Sequence, residues 1–221
     1  MYLPKHFTND DPSSILEFVQ HVGAADFVSV DPSGQPLSTL MPCTWVRESE
    51  DAGDHGTLYM HLARANKQWE SIVDGSRALA IVHGPQAYIS PGNYASKLED
   101  GKVVPTWNYT AVHLSGTVAV SHDPDYLLEI VSRLTDSHEA SREQPWKTSD
   151  APEVYMQAQL RGIVAITVTV DRVEAKEKLS QNRSIADQTG VVADLQTSAK
   201  SDEREIADLM QMRLQESETP L

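Results

Sequence analysis

Six strand-like segments constrain the fold of this 221-residue chain more than any other feature. They are residues 25–30, 37–46, 56–63, 77–84, 110–120 and 162–176, and the last is rich in β-branched residues. Most are joined by turns or by single short helices, without the glycine fingerprints of βαβ units. This pattern predicts a mainly β fold with peripheral helices (α+β), in which a six-stranded antiparallel sheet closes into a barrel.

Capping residues and helical periodicity predict helices around this sheet. Asp11-Pro12 and Asp123-Pro124 each place an N-cap residue before a proline at the first helical position. The first of these helices should end near Gly23. Residues 151–160 form another helix, and the last thirty residues contain one more, with Ile206, Leu209, Met210 and Leu214 on one face. The polar residues 179–190 should hold no core.

The charge and cysteine content narrow the possible partners and compartment. The net charge is −14, from 32 acidic residues against 18 Lys and Arg, so the chain repels phosphate backbones, and direct DNA binding is not expected. Cys43 is the only cysteine, which excludes a disulfide framework and favours a reducing cytoplasm. No apolar run reaches the roughly 18 residues of a membrane span, so we expect a cytoplasmic protein.

The sequence lacks the common catalytic and metal-binding motifs. Neither GxSxG nor HExxH occurs, and the eight histidines show no ligand spacing on a helix, so no metal site is predicted. No general base can be assigned, which leaves enzymatic activity open.

Two segments have the composition of a ligand site. In "HLARANKQW", Arg64 and Asn66 stand at a predicted helix start, which suits a phosphate group but equally an ordinary exposed helix end. In "VPTWNY", Trp107 offers a stacking face beside the polar Thr106 and Asn108, an arrangement typical of a planar ligand site or of a core strand.

A third polar segment follows the longest strand. "KLSQNR" contains Lys178, Gln181, Asn182 and Arg183, which are costly to bury without partners. It is therefore either a solvated loop or a surface that faces an anionic or polar ligand.

Together these segments resemble the PaiB-type FMN-binding negative transcriptional regulators, which have the FMN-binding split-barrel fold. The matching motifs run in family order from Met1 to about Val192. They are "MYLPKHF", "HLARANKQW", "GPQAYISP", "VPTWNY" with "AVH", "LTDSHE" with "PW", and "KLSQNR" followed by Asp and Gly-Val. The resemblance implies a split-barrel domain at residues 1–178 and a polar segment with a C-terminal helical tail at residues 179–221.

The resemblance also implies a homodimer that binds FMN at the subunit interface and acts in negative regulation of transcription. Arg64 and Asn66 would hold the phosphate end. The flavin would meet Tyr88, Ile89, Ser90, Trp107 and Asn108, with Lys178, Gln181 and Arg183 contributing from the later segment.

Two positions depart from the family pattern, and two other functions stay open. Asn93 stands where the family usually has Trp, and Lys67 where it usually has Pro. One alternative is an FMN-dependent oxidoreductase acting on a small substrate. The other is a haem-binding split barrel with His61, His83 or His113 as axial ligand.

Overall fold

The structure, a computed structural model, describes residues 1–47 and 55–218. Its strands are β1 (Ala24–Val30), β2 (Pro36–Pro42), β3 (Thr44–Val46), β4 (Thr57–Ala63), β5 (Arg77–Ile89), β6 (Thr106–Ser121) and β7 (Ile163–Lys178). Its α-helices are α1 (Pro12–Val22), α2 (Pro124–Glu139), α3 (Glu153–Leu160), α4 (Ile185–Gln196) and α5 (Ser201–Glu218). The mainly β class with peripheral helices is as predicted.

The strands form one sheet in the order β2-β1-β5-β6-β7-β4-β3. The pairings of β1 with β2 and β5, and of β4 with β3 and β7, are antiparallel. The prediction of a closed six-stranded barrel is wrong, because the sheet that the described residues form has seven strands and is not closed.

The additional strand arises from a division within residues 37–46. That segment was predicted as one strand, but β2 and β3 lie at opposite edges of the sheet and only Cys43 separates them. Pro42 has no N–H group to continue the β2 ladder, and the Cys43 N–H donates to the Gly23 carbonyl at 2.9 Å. A single residue therefore carries the chain from one edge strand to the other.

The predicted helix caps are present. Asp11 accepts hydrogen bonds from Ser13 N and Ser14 N at the start of α1, and Asp123 caps α2 in the same way. Gly23 ends α1 with φ 64°. No helix of the described residues is long and apolar enough to cross a membrane.

The described residues fall into two compact units, and β5, β6 and β7 contribute residues to both. The first unit comprises residues 1–10, 83–111 and 175–221, and the second comprises residues 11–82 and 112–174. In the second unit, α2 packs through Leu127, Ile130 and Leu134 onto Leu160 and Ala165.

The core of the first unit contains residues that the sequence analysis left out of any core. Helices α4 and α5 pack onto Ala87 and Ile89 of β5. Helix α4 supplies Val191, Val192 and Leu195, and α5 supplies Ile206, Ala207, Met210 and Leu214. The prediction that residues 179–190 hold no core is therefore wrong for Leu179, Ser180 and Asp187, which are all buried.

Candidate functional site

The first unit exposes an aromatic face, which we define as Gln86, Tyr88 and Trp107. Tyr88 is 50% exposed and Trp107 is 46% exposed, and their ring centroids lie 6.3 Å apart at an interplanar angle of 59°. Trp107 Nε1 donates to Gln86 Oε1 at 3.0 Å. Side chains alternate along strands β5 and β6, so Ala87, Ile89 and Asn108 point away from this face into the core of the unit.

A lysine lies beside the aromatic face. The Lys178 amine donates to Thr106 Oγ1 and to the Trp107 carbonyl. Burial, together with the positive charge of Lys176, lowers the pKa of Lys178. Lys176 itself is buried, donates to the Tyr2 carbonyl at 2.9 Å and lies 5.2 Å from the Tyr109 ring centroid.

Two of the predicted flavin contacts have buried side chains. Ile89 is fully buried among the residues of α4 and α5. Asn108 is also fully buried, and its Nδ2 donates to Ser180 Oγ at 2.9 Å. These two side chains lie on the core side of β5 and β6, opposite the aromatic face.

The segment that contains Gln181 and Arg183 is shaped by its own side chains. Gln181 Oε1 accepts from Leu179 N at 2.7 Å, and its Nε2 donates to the Glu177 carbonyl. These two hydrogen bonds close a turn around Ser180, whose φ of 63° lies in the left-handed region. The Arg183 guanidinium lies 4.7 Å above the Tyr94 ring, so the segment is a structured turn.

The short 3₁₀-helix after β5 is anchored to α4. Ser90 Oγ accepts from Gly92 N at 3.1 Å and caps the 3₁₀-helix Pro91–Asn93. Asn93, which departs from the family pattern, donates through Nδ2 to Asp194 Oδ2 at 2.7 Å. Asn93 therefore has a structural partner within this unit.

Arg64 belongs to the second unit, where its side chain fixes the turn between α3 and β7. Its Nε donates to the Arg161 carbonyl and its Nη2 to the Ile163 carbonyl, both at 2.9 Å. Nη1 lies 3.2 Å from His122 Nδ1. The guanidinium is thus held in one orientation by three contacts.

Asn66 caps a 3₁₀-helix, Lys67–Ser71, where the sequence predicted a short helix. Its Oδ1 accepts from Gln68 N, and its Nδ2 donates to Thr39 Oγ1, both at 3.0 Å. The adjacent Lys67, the second departure from the family pattern, pairs with Glu70 at 2.6 Å. Both polar ends of Asn66 therefore have partners within this unit.

Arg64 also lines a pocket of about 190 Å³ in the second unit. The other polar lining residues are His122, Gln157 and Arg161, and Leu127 and Leu160 form its apolar wall together with Pro124. Sequence reasoning found Arg64 but missed the other three polar residues. They lie far from Arg64 in the sequence, and no local motif connects them with it.

The sequence matches a protein family described as "Putative FMN-binding domain" over residues 1–172. The chain is 30% identical to "Protease synthase and sporulation protein PAI 2" of Bacillus subtilis, an alignment that covers 97% of this chain and 98% of that protein. Lys178, Gln181 and Arg183 lie beyond residues 1–172, which the family matches, but inside the alignment with the Bacillus protein.

Solved structures share the fold at low sequence identity. The "FAD and Heme binding protein" of Mycobacterium smegmatis has a TM-score of 0.55 at 15% identity, over 77% of this chain and 73% of that one. The "Flavocytochrome Anf3" of Azotobacter vinelandii has a TM-score of 0.51 at 13% identity, over 77% and 69% respectively.

The family match covers most of the chain, and the Bacillus relative aligns over nearly its full length, so the predicted resemblance to PaiB-type proteins is confirmed. The chain belongs to the family described as "Putative FMN-binding domain".

Proposed function

We propose that this protein binds FMN, with the flavin ring against the aromatic face of the first unit. The observation that carries the proposal is the Tyr88–Trp107 pair. Two large rings are about half exposed side by side, although aromatic side chains gain most when they are buried. A planar ligand that covers both rings would recover that gain.

The polar groups around the face suit the edge of a flavin. Gln86 has an amide that can still donate while its Oε1 accepts from Trp107. The Lys178 amine has three donors, two of them engaged by Thr106 and the Trp107 carbonyl. Bound FMN would supply the redox chemistry, while these residues would orient it and place positive charge beside it.

The remaining contacts of the proposed site follow the resemblance. The resemblance assigns Arg64 and Asn66 to the phosphate end of FMN, and Arg64 has five N–H donors, of which three have partners. Ser90, Gln181 and Arg183 are assigned to the flavin in the same way. Ile89 and Asn108 would act through their backbone, because their side chains are buried.

We further propose that the protein works as a cytoplasmic homodimer in negative regulation. The support is the resemblance to PaiB-type regulators, together with the Bacillus relative named "Protease synthase and sporulation protein PAI 2". Regulation would follow from the bound flavin or another small molecule. An FMN-dependent oxidoreductase is the alternative within the same site.

Haem binding is a second candidate, and one observation favours it. The Nδ1 atom of His61 is buried without a hydrogen-bond partner among the described residues. Burial lowers the pKa of His61, so the imidazole is neutral, as an axial ligand requires. A protein of the same fold is named for binding both FAD and haem.

The proposal is tested by titrating the apoprotein with FMN and following the quenching of flavin fluorescence. Trp107→Ala should weaken FMN binding by about 1–3 kcal/mol, the usual cost of losing an aromatic stacking partner. Trp146→Ala is the matched control, because Trp146 is 44% exposed and belongs to the second unit. It should bind FMN like the wild type.

Equal FMN affinities of Trp107→Ala and the wild type would contradict the placement of the ring. A Soret band on reconstitution with haemin, lost in His61→Ala but kept in His83→Ala, would instead support the haem candidate.

A further inference from the structure

The pocket of the second unit has an uncompensated positive lining. Two guanidinium groups, Arg64 and Arg161, and the imidazole of His122 line it. None of the described residues that line the pocket is acidic. This contrasts with the whole chain, whose net charge is −14.

Its donors are partly fixed and partly free. Arg64 is held by the carbonyls of Arg161 and Ile163 and keeps unused N–H groups. If Arg64 Nη1 donates to His122 Nδ1, the neutral imidazole carries its hydrogen on Nε2, which can also donate. The side chains of Arg161 and Gln157 make no hydrogen bond to other described residues.

The number of donors and the size of the pocket identify a ligand class. Two guanidinium groups favour an anion, and the three or four oxygens of a phosphate offer the four donor side chains more acceptor sites, pointing in more directions, than the two coplanar oxygens of a carboxylate. Arginine forks pair with phosphate through two N–H groups at once. A volume of about 190 Å³ also leaves room for a small organic part against Leu127 and Leu160.

We propose that this pocket is a binding site for a phosphate group, with Arg161, His122 and Gln157 as ligands beside Arg64. The inference deepens the proposed function where FMN supplies the phosphate, because Arg64 is already assigned to that end of FMN, and it goes beyond the proposed function where a free phosphate binds. Inorganic phosphate, a small organic phosphate and the phosphate end of FMN share the chemistry that the pocket would recognise.

The test is isothermal titration calorimetry of the full chain with inorganic phosphate, at constant ionic strength in a phosphate-free buffer. Arg161→Gln should weaken phosphate binding about tenfold or more, the effect of losing a charge-assisted hydrogen bond. Arg161 is exposed, so the variant should fold normally. Arg142→Gln is the matched control, because it removes the same charge from an exposed position of the same unit outside the pocket.

A second comparison identifies the source of the phosphate. If FMN supplies it, Arg161→Gln will weaken FMN about tenfold but leave riboflavin, which lacks the phosphate, unchanged. If the ligand is a free phosphate, only the inorganic phosphate titration will change. The inference is overturned if Arg161→Gln matches Arg142→Gln in all three titrations. Should the protein bind no flavin, the inorganic phosphate titration still decides.

Discussion

Asp187 shows how a single carboxylate can anchor a helix inside a core. It is buried at 3% exposure, at the start of α4, and its two oxygens accept from Ser96 N and Ser96 Oγ, both at 2.9 Å. Burial raises the pKa of Asp187, but the hydrogen bonds from Ser96 and the charge of Arg183 outweigh it and hold the pKa below 3.8. The ionised carboxylate therefore stabilises the folded state.

Replacing Asp187 with Asn should lower the free energy of unfolding by about 1–3 kcal/mol near neutral pH, since a charged acceptor is lost from a buried pair of donors. Because the folded pKa lies below the unfolded value of 3.8, this difference should be full above about pH 5 and shrink as the pH falls below 3.8. Urea unfolding between about pH 3 and 7 measures it. Asp208→Asn, at an exposed position of α5, is the control. A difference that does not change with pH would contradict the assignment to this carboxylate.

Helix α4 is the element that sequence reasoning missed, because residues 179–190 are mostly polar and indicate no buried face. In the structure, a Cβ on Gly190 would lie 2.1 Å from the Asn93 carbonyl oxygen. Gly190 therefore permits close packing between α4 and the turn after β5, although glycine usually weakens a helix interior.

Gly190→Ala tests this explanation, because helix propensity alone predicts a gain of about 1 kcal/mol. We expect a loss of about 1–3 kcal/mol instead, since the added methyl group would force the Asn93 backbone to move. Thr189→Ala, on the exposed side of the same helix, should change stability by less than about 0.5 kcal/mol. A melting temperature of Gly190→Ala above that of the wild type would contradict the packing role.

At the scale of the whole molecule, capping residues and apolar periodicity predicted the features that depend only on residues near one another in the sequence. Asp11, Asp123 and Gly23 placed helix ends, and the apolar stripe of α5 predicted its buried face through Met210. The division of one predicted strand at Cys43 depends on which edge each half joins, and that is decided by tertiary pairing. The pocket around Arg161 likewise depends on residues brought together only by the fold.

The arrangement of charge argues against direct contact of the molecule with DNA. Helices α4 and α5 are joined by only four residues, as in a helix-turn-helix. However, α5 carries six acidic and two basic residues, so as a recognition helix it would repel the phosphate backbone. The net charge of −14 would double in the proposed homodimer.

We expect analytical sedimentation to show a dimer of 24.4 kDa chains. Because of its charge, we expect this dimer not to retard promoter DNA in a gel-shift experiment at micromolar protein and about 0.15 M salt, with or without FMN. Both halves of this prediction matter, because a monomer would remove the interface that the resemblance implies for FMN. Retardation that weakens steeply with added salt would show that the dimer does present a basic surface, and regulation through direct repression would then replace regulation through the ligand.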